Sequence, residues 1–364
     1  RALYRLGRQD EAIGAYTESI KLQKLSGALF MRGILFAEKR DWKKALGDLN
    51  AAIEIGSAPA SYYSTRATVL NELRKPEKAL EDLNRAIQID PGNSDLYVMR
   101  SNVNDSLFRF DEAVTDLDRA VELDPDRADR WNARGNYWYG KGNFLKAATD
   151  YTAALGRDDS VSTFFANRGH ALTRLGRFDQ AAADFERSLQ MQPDDSHALM
   201  GRGELRQVVG NVRGAKADFA RARQLEPSSP EVWRRMGYLM VAQGDVRRGL
   251  DLVAKSVAKF PGAAGYWNGL AWIRSTHPDP EARNPDQAVA AATRACELTG
   301  WRYPAFLDTL AAALADSGRY DEAVKRQEEA VQNVPDSERG EYQARLDLYR
   351  QQKPFRKPFN LLRF

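Results

Sequence analysis

Few residues in this 364-residue chain are able to do chemistry. There are three histidines, His170, His197 and His277, and one cysteine, Cys296. No two histidines stand at a metal-ligand spacing such as His-x-x-x-His, and no carboxylate cluster accompanies them. One cysteine excludes an internal disulfide framework and any cysteine-based zinc site. Cys296 falls on the apolar face of a predicted helix beside Ala292 and Ala295, where a small core residue is expected rather than a nucleophile. Glycines such as Gly142 lack the Lys-Ser/Thr that completes a phosphate-binding loop. The sequence therefore predicts neither an enzyme nor a metal or cofactor site.

The charged residues are ordered. Arginine recurs at Arg32, Arg66, Arg100, Arg134, Arg168 and Arg202, and aspartate follows each at one fixed offset, at Asp48, Asp82, Asp116, Asp150, Asp184 and Asp218. Further along the chain both are lost together, as at Met236 and Leu252. This coupling predicts a charge-assisted pair within or between structural units. A paired charge projects little field, and the net charge is only +4, so no nucleic-acid partner is expected. The longest apolar runs are short, so no membrane span is predicted.

The elements that must position these residues follow from a period. Alanine recurs at Ala45, Ala79, Ala113, Ala147, Ala181 and Ala215, always at the same interval. The series extends back to Ala12 and forward through Gly249, Ala288 and Ala323. A fixed period of about 34 residues marks an array of helical hairpins, none of which can bury its apolar face alone. In the repeat around Ala147, small residues at Gly135 and Ala147 let two helices cross closely. Trp131, Trp138, Phe144 and Tyr151 fill the space beside that crossing at helical spacing. Gly142-Asn143 breaks the chain between the helices, and Pro91, Pro125, Pro193, Pro227, Pro261 and Pro335 end the second helix of other repeats. The seven tryptophans are accounted for as core filling, with Trp131, Trp233 and Trp267 at one position.

This pattern resembles the tetratricopeptide repeat (TPR) over residues 1–336, with ten repeats of which the first is incomplete. Repeat nine is longer, with extra polar residues near 276–284, an insertion placed where it costs least. Residues 337–350 read as an amphipathic capping helix through Tyr342, Leu346 and Tyr349. Residues 351–364 form a basic and apolar tail, expected either to pack back on the array or to dock on a partner or in a neighbour's groove. The run Trp267 to Trp272, with Leu307-Asp308-Thr309 and Leu348-Tyr349-Arg350, is similar to a variant repeat near the C-terminal end of large bacterial multidomain proteins. The chain begins at Arg1 with Tyr4 and Leu6 already on a packing face, which reads as a piece of a longer protein. Its compartment and oligomeric state are not named by the sequence, and any address signal upstream is not visible.

The resemblance implies an all-α, right-handed superhelical solenoid whose concave face is lined by the first helix of each hairpin. It further implies a non-catalytic scaffold holding a peptide or helix of a protein partner in the concave groove, or the regulatory or targeting arm of a larger bacterial enzyme such as a protein kinase whose catalytic domain lies upstream. The family's groove positions fall here on Asn102, Asn132, Asn136, Tyr139, Asn167, His170, Arg174, His197, Glu204, Arg234, Arg235 and Tyr238. Asparagine donates and accepts at once, which suits an extended peptide backbone. One subtype grips a C-terminal carboxylate with two asparagines and three cations. Asn136 and Asn167 match its asparagines, but Asn132, His197 and Gly201 stand where the cations should, so that clamp is not expected. Arg234 and Arg235 with Tyr238 suggest a cationic and aromatic patch for an acidic segment.

Overall fold

In the computed structural model the described residues are 8–23, 25–334 and 336–357, and every regular element among them is helical. The tail residues 358–364, Pro335 and the residues Tyr4 and Leu6 singled out above lie outside that range. The chain divides into two compact units, residues 1–171 and 172–364.

The first unit holds α1 (Gln9–Leu22), then the hairpins α2 (Ser26–Glu38) with α3 (Trp42–Glu54), α4 (Ala60–Glu72) with α5 (Pro76–Ile89), α6 (Ser94–Ser106) with α7 (Phe110–Leu123), and α8 (Ala128–Gly140) with α9 (Phe144–Leu155). Helix α10 (Ser162–Arg174) carries the unit boundary. The second unit contains α11 (Phe178–Met191), then α12 (Ser196–Val208) with α13 (Val212–Leu225), α14 (Pro230–Ala242) with α15 (Val246–Lys259), α16 (Ala264–Thr276) with α17 (Pro285–Leu298), and α18 (Pro304–Asp316) with α19 (Tyr320–Asn333). Helix α20 (Asp336–Arg350) closes the series.

Each hairpin is built from the periodic residues. The periodic alanines Ala45, Ala79, Ala113, Ala147, Ala181 and Ala215 are fully buried. At Gly135 an added Cβ would stand 2.7 Å from the Tyr151 ring, so the missing side chain is what admits the tyrosine. Gly249, which breaks the alanine series, faces Gly237, and a Cβ on either would meet the other's carbonyl oxygen at 2.6–2.7 Å. Both small positions are glycine there because the two backbones touch.

The turn inside each hairpin repeats as faithfully. Backbone N–H groups of Asp41, Lys75, Arg109, Asn143, Arg177, Asn211 and Asp245 each donate to the carbonyl five residues earlier, closing the helix C-terminus by a Schellman bond. The residue before each takes a left-handed φ. Glycine supplies it at Gly142, Gly176, Gly210 and Gly244, but Arg40, Arg74 and Phe108 adopt it too, at φ 58–60°. Between hairpins, the indole N–H of Trp131, Trp233 and Trp267 donates to the carbonyl of Pro125, Pro227 and Pro261, which ties the helix-ending proline to the next first helix. In the repeat-nine insertion a single 3-10 turn, Pro280–Ala282, returns the chain, and Ala282 is buried beneath it.

The first helices face inward within each unit. Helices α2, α4, α6 and α8 touch in succession, as do α12 with α14 and α16 with α18, while second helices pack mainly on first helices. That asymmetry curves each unit with its first helices on the concave side. At the C-terminal end, Arg345 of α20 donates to the wholly buried Asp308 of α18 at 2.6 Å, and Gln327 of α19 donates to the same oxygen at 2.7 Å. Tyr342, Leu346 and Tyr349 are buried under this cap.

Candidate functional site

The arginine ladder ties the first helix of each hairpin to its second helix. Arg66 donates through Nε and Nη2 to both oxygens of Asp82, at 2.8 and 2.7 Å, and Arg32, Arg100, Arg134 and Arg202 hold Asp48, Asp116, Asp150 and Asp218 in the same bidentate way. Asp184 is buried like its five counterparts. The remaining nitrogen reaches back to the preceding hairpin: Arg66 to Asn50, Arg100 to Asn84 and Arg134 to Asp118, at 2.8–3.0 Å. Arg66, Arg100 and Arg134 also lie over the rings of Tyr63, Tyr97 and Trp131. Each guanidinium thus closes its own hairpin and fastens it to the one before. The aspartates hold the arginine pKa values above their ordinary range at Arg32, Arg66 and Arg134, first through the hydrogen bond.

In the first unit the structure brings several candidate residues together. Asn167 of α10 donates from Nδ2 to Oδ1 of Asn132 at 2.9 Å and to Oδ1 of Asn136 at 3.4 Å. Asn136 Oδ1 also accepts from the Tyr151 hydroxyl at 2.9 Å. Two donors on one oxygen fix that carboxamide, and Asn136 is exposed. Tyr139 stands edge-on to the ring of His170, 6.4 Å between centroids, and against Phe144. Asn102 is exposed one hairpin earlier, on α6, while His170 is buried. Nearby charges are matched: Arg130 with Asp95 and Asp129, and Lys141 with Asp105. The middle of the face is polar, with these charges paired.

The second unit corrects one expectation. Arg234 is buried and holds Glu231 at 2.9 Å through Nε, and Arg235 binds Glu231 at 2.8 Å and Glu204 at 2.5 Å. The Tyr266 hydroxyl donates to Glu231 at 3.0 Å. Burial alone would raise the Glu231 pKa, but the two arginines hold it far below the carboxylate range. Two arginines against two glutamates present no cationic surface, so the patch for an acidic segment is absent. Tyr238 is wholly buried, its hydroxyl seated against Gly269, where a Cβ would lie under 2 Å away. It is a core residue. His197 is accessible yet its pKa is lowered by desolvation, with Arg235 adding to the effect; a side chain both exposed and desolvated lies in a concavity. Arg174 is half-exposed at the C-terminal end of α10.

Sequence reasoning missed two things that the period contained. The backward partners Asn50, Asn84 and Asp118 also stand one period apart and are all acceptors. Glu231 lies four residues before Arg235, one helical turn, which predicts their pairing.

Among the described residues no three His, Cys, Asp or Glu side chains gather into a metal-binding group, and no helix is long and apolar enough to cross a membrane. Cys296 is fully buried, and burial pushes its pKa up to about 12. The tetratricopeptide repeat profile matches residues 1–62, 30–94, 108–162 and 167–206, and a second profile of that repeat matches 305–332. The chain belongs to the tetratricopeptide repeat family. Among solved structures, a tetratricopeptide repeat protein from Parabacteroides merdae ATCC 43184 is similar at TM-score 0.57 and 18% identity, over 65% of this chain and 93% of that one. Yeast Tom70 is similar at TM-score 0.53 and 15% identity, over 96% and 94%. At these identities the likeness is one of fold. No curated protein matches the chain. TPR hairpins, rather than a compact core, account for the helix pairing of both units.

Proposed function

We propose that this TPR array is a non-catalytic protein-interaction scaffold. It holds an extended segment of a protein partner along the first-helix face of its first unit. The observation that carries this reading is the fixed carboxamide of the exposed Asn136, whose oxygen is taken by Tyr151 and Asn167 so that its N–H groups are the part left to a ligand. A donor held in place before the ligand arrives loses little entropy on binding, and an extended backbone supplies the carbonyls it needs. The internally matched charges around it favour a backbone ligand over a charged one. They also speak against a phosphate backbone, which requires unpaired cations. The same face would serve equally as the regulatory arm of a longer enzyme; the ligand chemistry is unchanged.

The test is selection from a random peptide display library on the full chain and on Asn136→Arg, with circular dichroism to show that the variant is folded. Peptides enriched on the native chain should lose at least tenfold in affinity on the variant. Peptides that bind both equally would remove the Asn136 face from the proposal.

A further inference from the structure

In repeat nine the residues in register with Asn136 and Tyr139 are met by the chain itself. Trp272 and Ser275 stand four periods after Asn136 and Tyr139. After α20 the chain turns back, and the Phe355 ring lies against Trp272, 5.8 Å between centroids, with the Arg345 guanidinium 5.6 Å from its centroid. Arg356 donates to the Ser275 carbonyl at 3.0 Å and pairs with Asp316, while the Lys357 backbone N–H donates to the Thr276 carbonyl at 3.0 Å. The tail therefore takes two carbonyls that the C-terminus of α16 leaves without helical partners.

These contacts differ in kind from the cap beneath them. Arg345 and Asp308 are 4% and 0% exposed, a staple that opens only with the fold. Asp316 is just as deep, at 3%, but its partner Arg356 is 31% exposed and belongs to a segment without regular structure. Its other cation, Arg283, stands 3.8 Å away. One oxygen of Asp316 is buried with no hydrogen-bond donor. A buried carboxylate served by a half-exposed guanidinium is a site that demands an arginine but does not lock one in.

We propose that Trp272, Ser275, Thr276 and Asp316 form a recognition site for an extended aromatic–arginine segment. Phe355–Lys357 is its intramolecular occupant, displaced when a partner presents the same chemistry. The assignment extends the concave-face reading to the last repeats but does not use Asn132 or Asn136. A tethered occupant acts at an effective concentration on the order of millimolar, so a single competing segment is held off unless it makes further contacts along the face.

The test uses the full chain and a fluorescein-labelled peptide of residues 353–364, read by anisotropy. The wild-type chain should bind it weakly. The Phe355→Ser/Arg356→Glu chain, its tail displaced, should bind at least tenfold more tightly, and a peptide carrying the same two substitutions should not bind. Adding Asn136→Arg to the displaced-tail chain should leave this binding unchanged, which separates it from the library selection. A folded displaced-tail chain that binds no better than wild type would reduce the tail to a packing element. Wild-type sedimentation as a dimer that Phe355→Ser/Arg356→Glu dissolves would hand the site to a second copy and overturn the intramolecular assignment.

Discussion

Arg134 holds both carboxylate oxygens of Asp150 on its own hairpin, at 2.9 and 2.8 Å, and with its third nitrogen reaches Asp118 on the hairpin before it at 2.8 Å. One guanidinium closes two interfaces. Asp150 is 5% exposed and Arg134 19%, so removing either partner strands a charge with little water to take its place. Arg134→Leu and Asp150→Leu should each cost about 3–5 kcal/mol, and the double variant clearly less than their sum. Chemical denaturation of the three variants checks this. Strict additivity would mean that the contact carries no coupling.

The glycines grade in what they tolerate. At Gly237 a new Cβ meets the Gly249 carbonyl oxygen at 2.7 Å, which is backbone and cannot swing aside; at Gly203 it meets the Phe219 ring at 3.0 Å, which can tilt. Gly237→Ala should destabilise by about 1–3 kcal/mol, and Gly203→Ala by less. Thermal melts of the two variants rank them directly.

The hairpins, the arginine–aspartate pairs and the small crossing positions were legible because each repeats. Arg134 and Asp150 announce their contact by keeping one spacing through six repeats and disappearing together. The candidate site was legible only in part, since its residues change type from one repeat to the next. Asn136, His170, Glu204, Tyr238 and Trp272 occupy one register, yet one is an exposed amide, one a wholly buried phenol and one a platform for the tail. What each does is set by neighbours across the interface, such as Gly269 making room for Tyr238, and by returns from far along the chain, such as Phe355. No local pattern encodes those.

Cys296 should be inert in the folded chain. Its sulfur is wholly buried among Ala292, Ala311 and neighbouring side chains, and burial holds the thiol protonated up to about 12. A chromogenic thiol reagent at neutral pH should label it only at the rate of unfolding, and rapidly in denaturant. Fast labelling of the native chain would show that the C-terminal hairpins open far more easily than their packing implies.

Acid should loosen the second unit in two stages. His197 has a lowered pKa, so its neutral form is the one the fold favours; that contribution is present above its ordinary value of 6.5 and is lost as pH falls below it. Glu231 has a lowered pKa because Arg234 and Arg235 outweigh its burial; its contribution is present above 4.5 and drains away as pH falls from there. Glu231→Gln should therefore cost about 3–5 kcal/mol at pH 7, by leaving two buried arginines with one carboxylate. Its deficit against the native chain should shrink between pH 5 and pH 3, where the glutamate of the unfolded chain takes up its proton while the folded one keeps its charge. His197→Gln should instead flatten the segment that begins as pH falls below 6.5. Denaturation midpoints of the three chains across that range separate the two groups. A constant Glu231→Gln deficit down to pH 3 would mean that the pairing energy is not tied to the titration of Glu231.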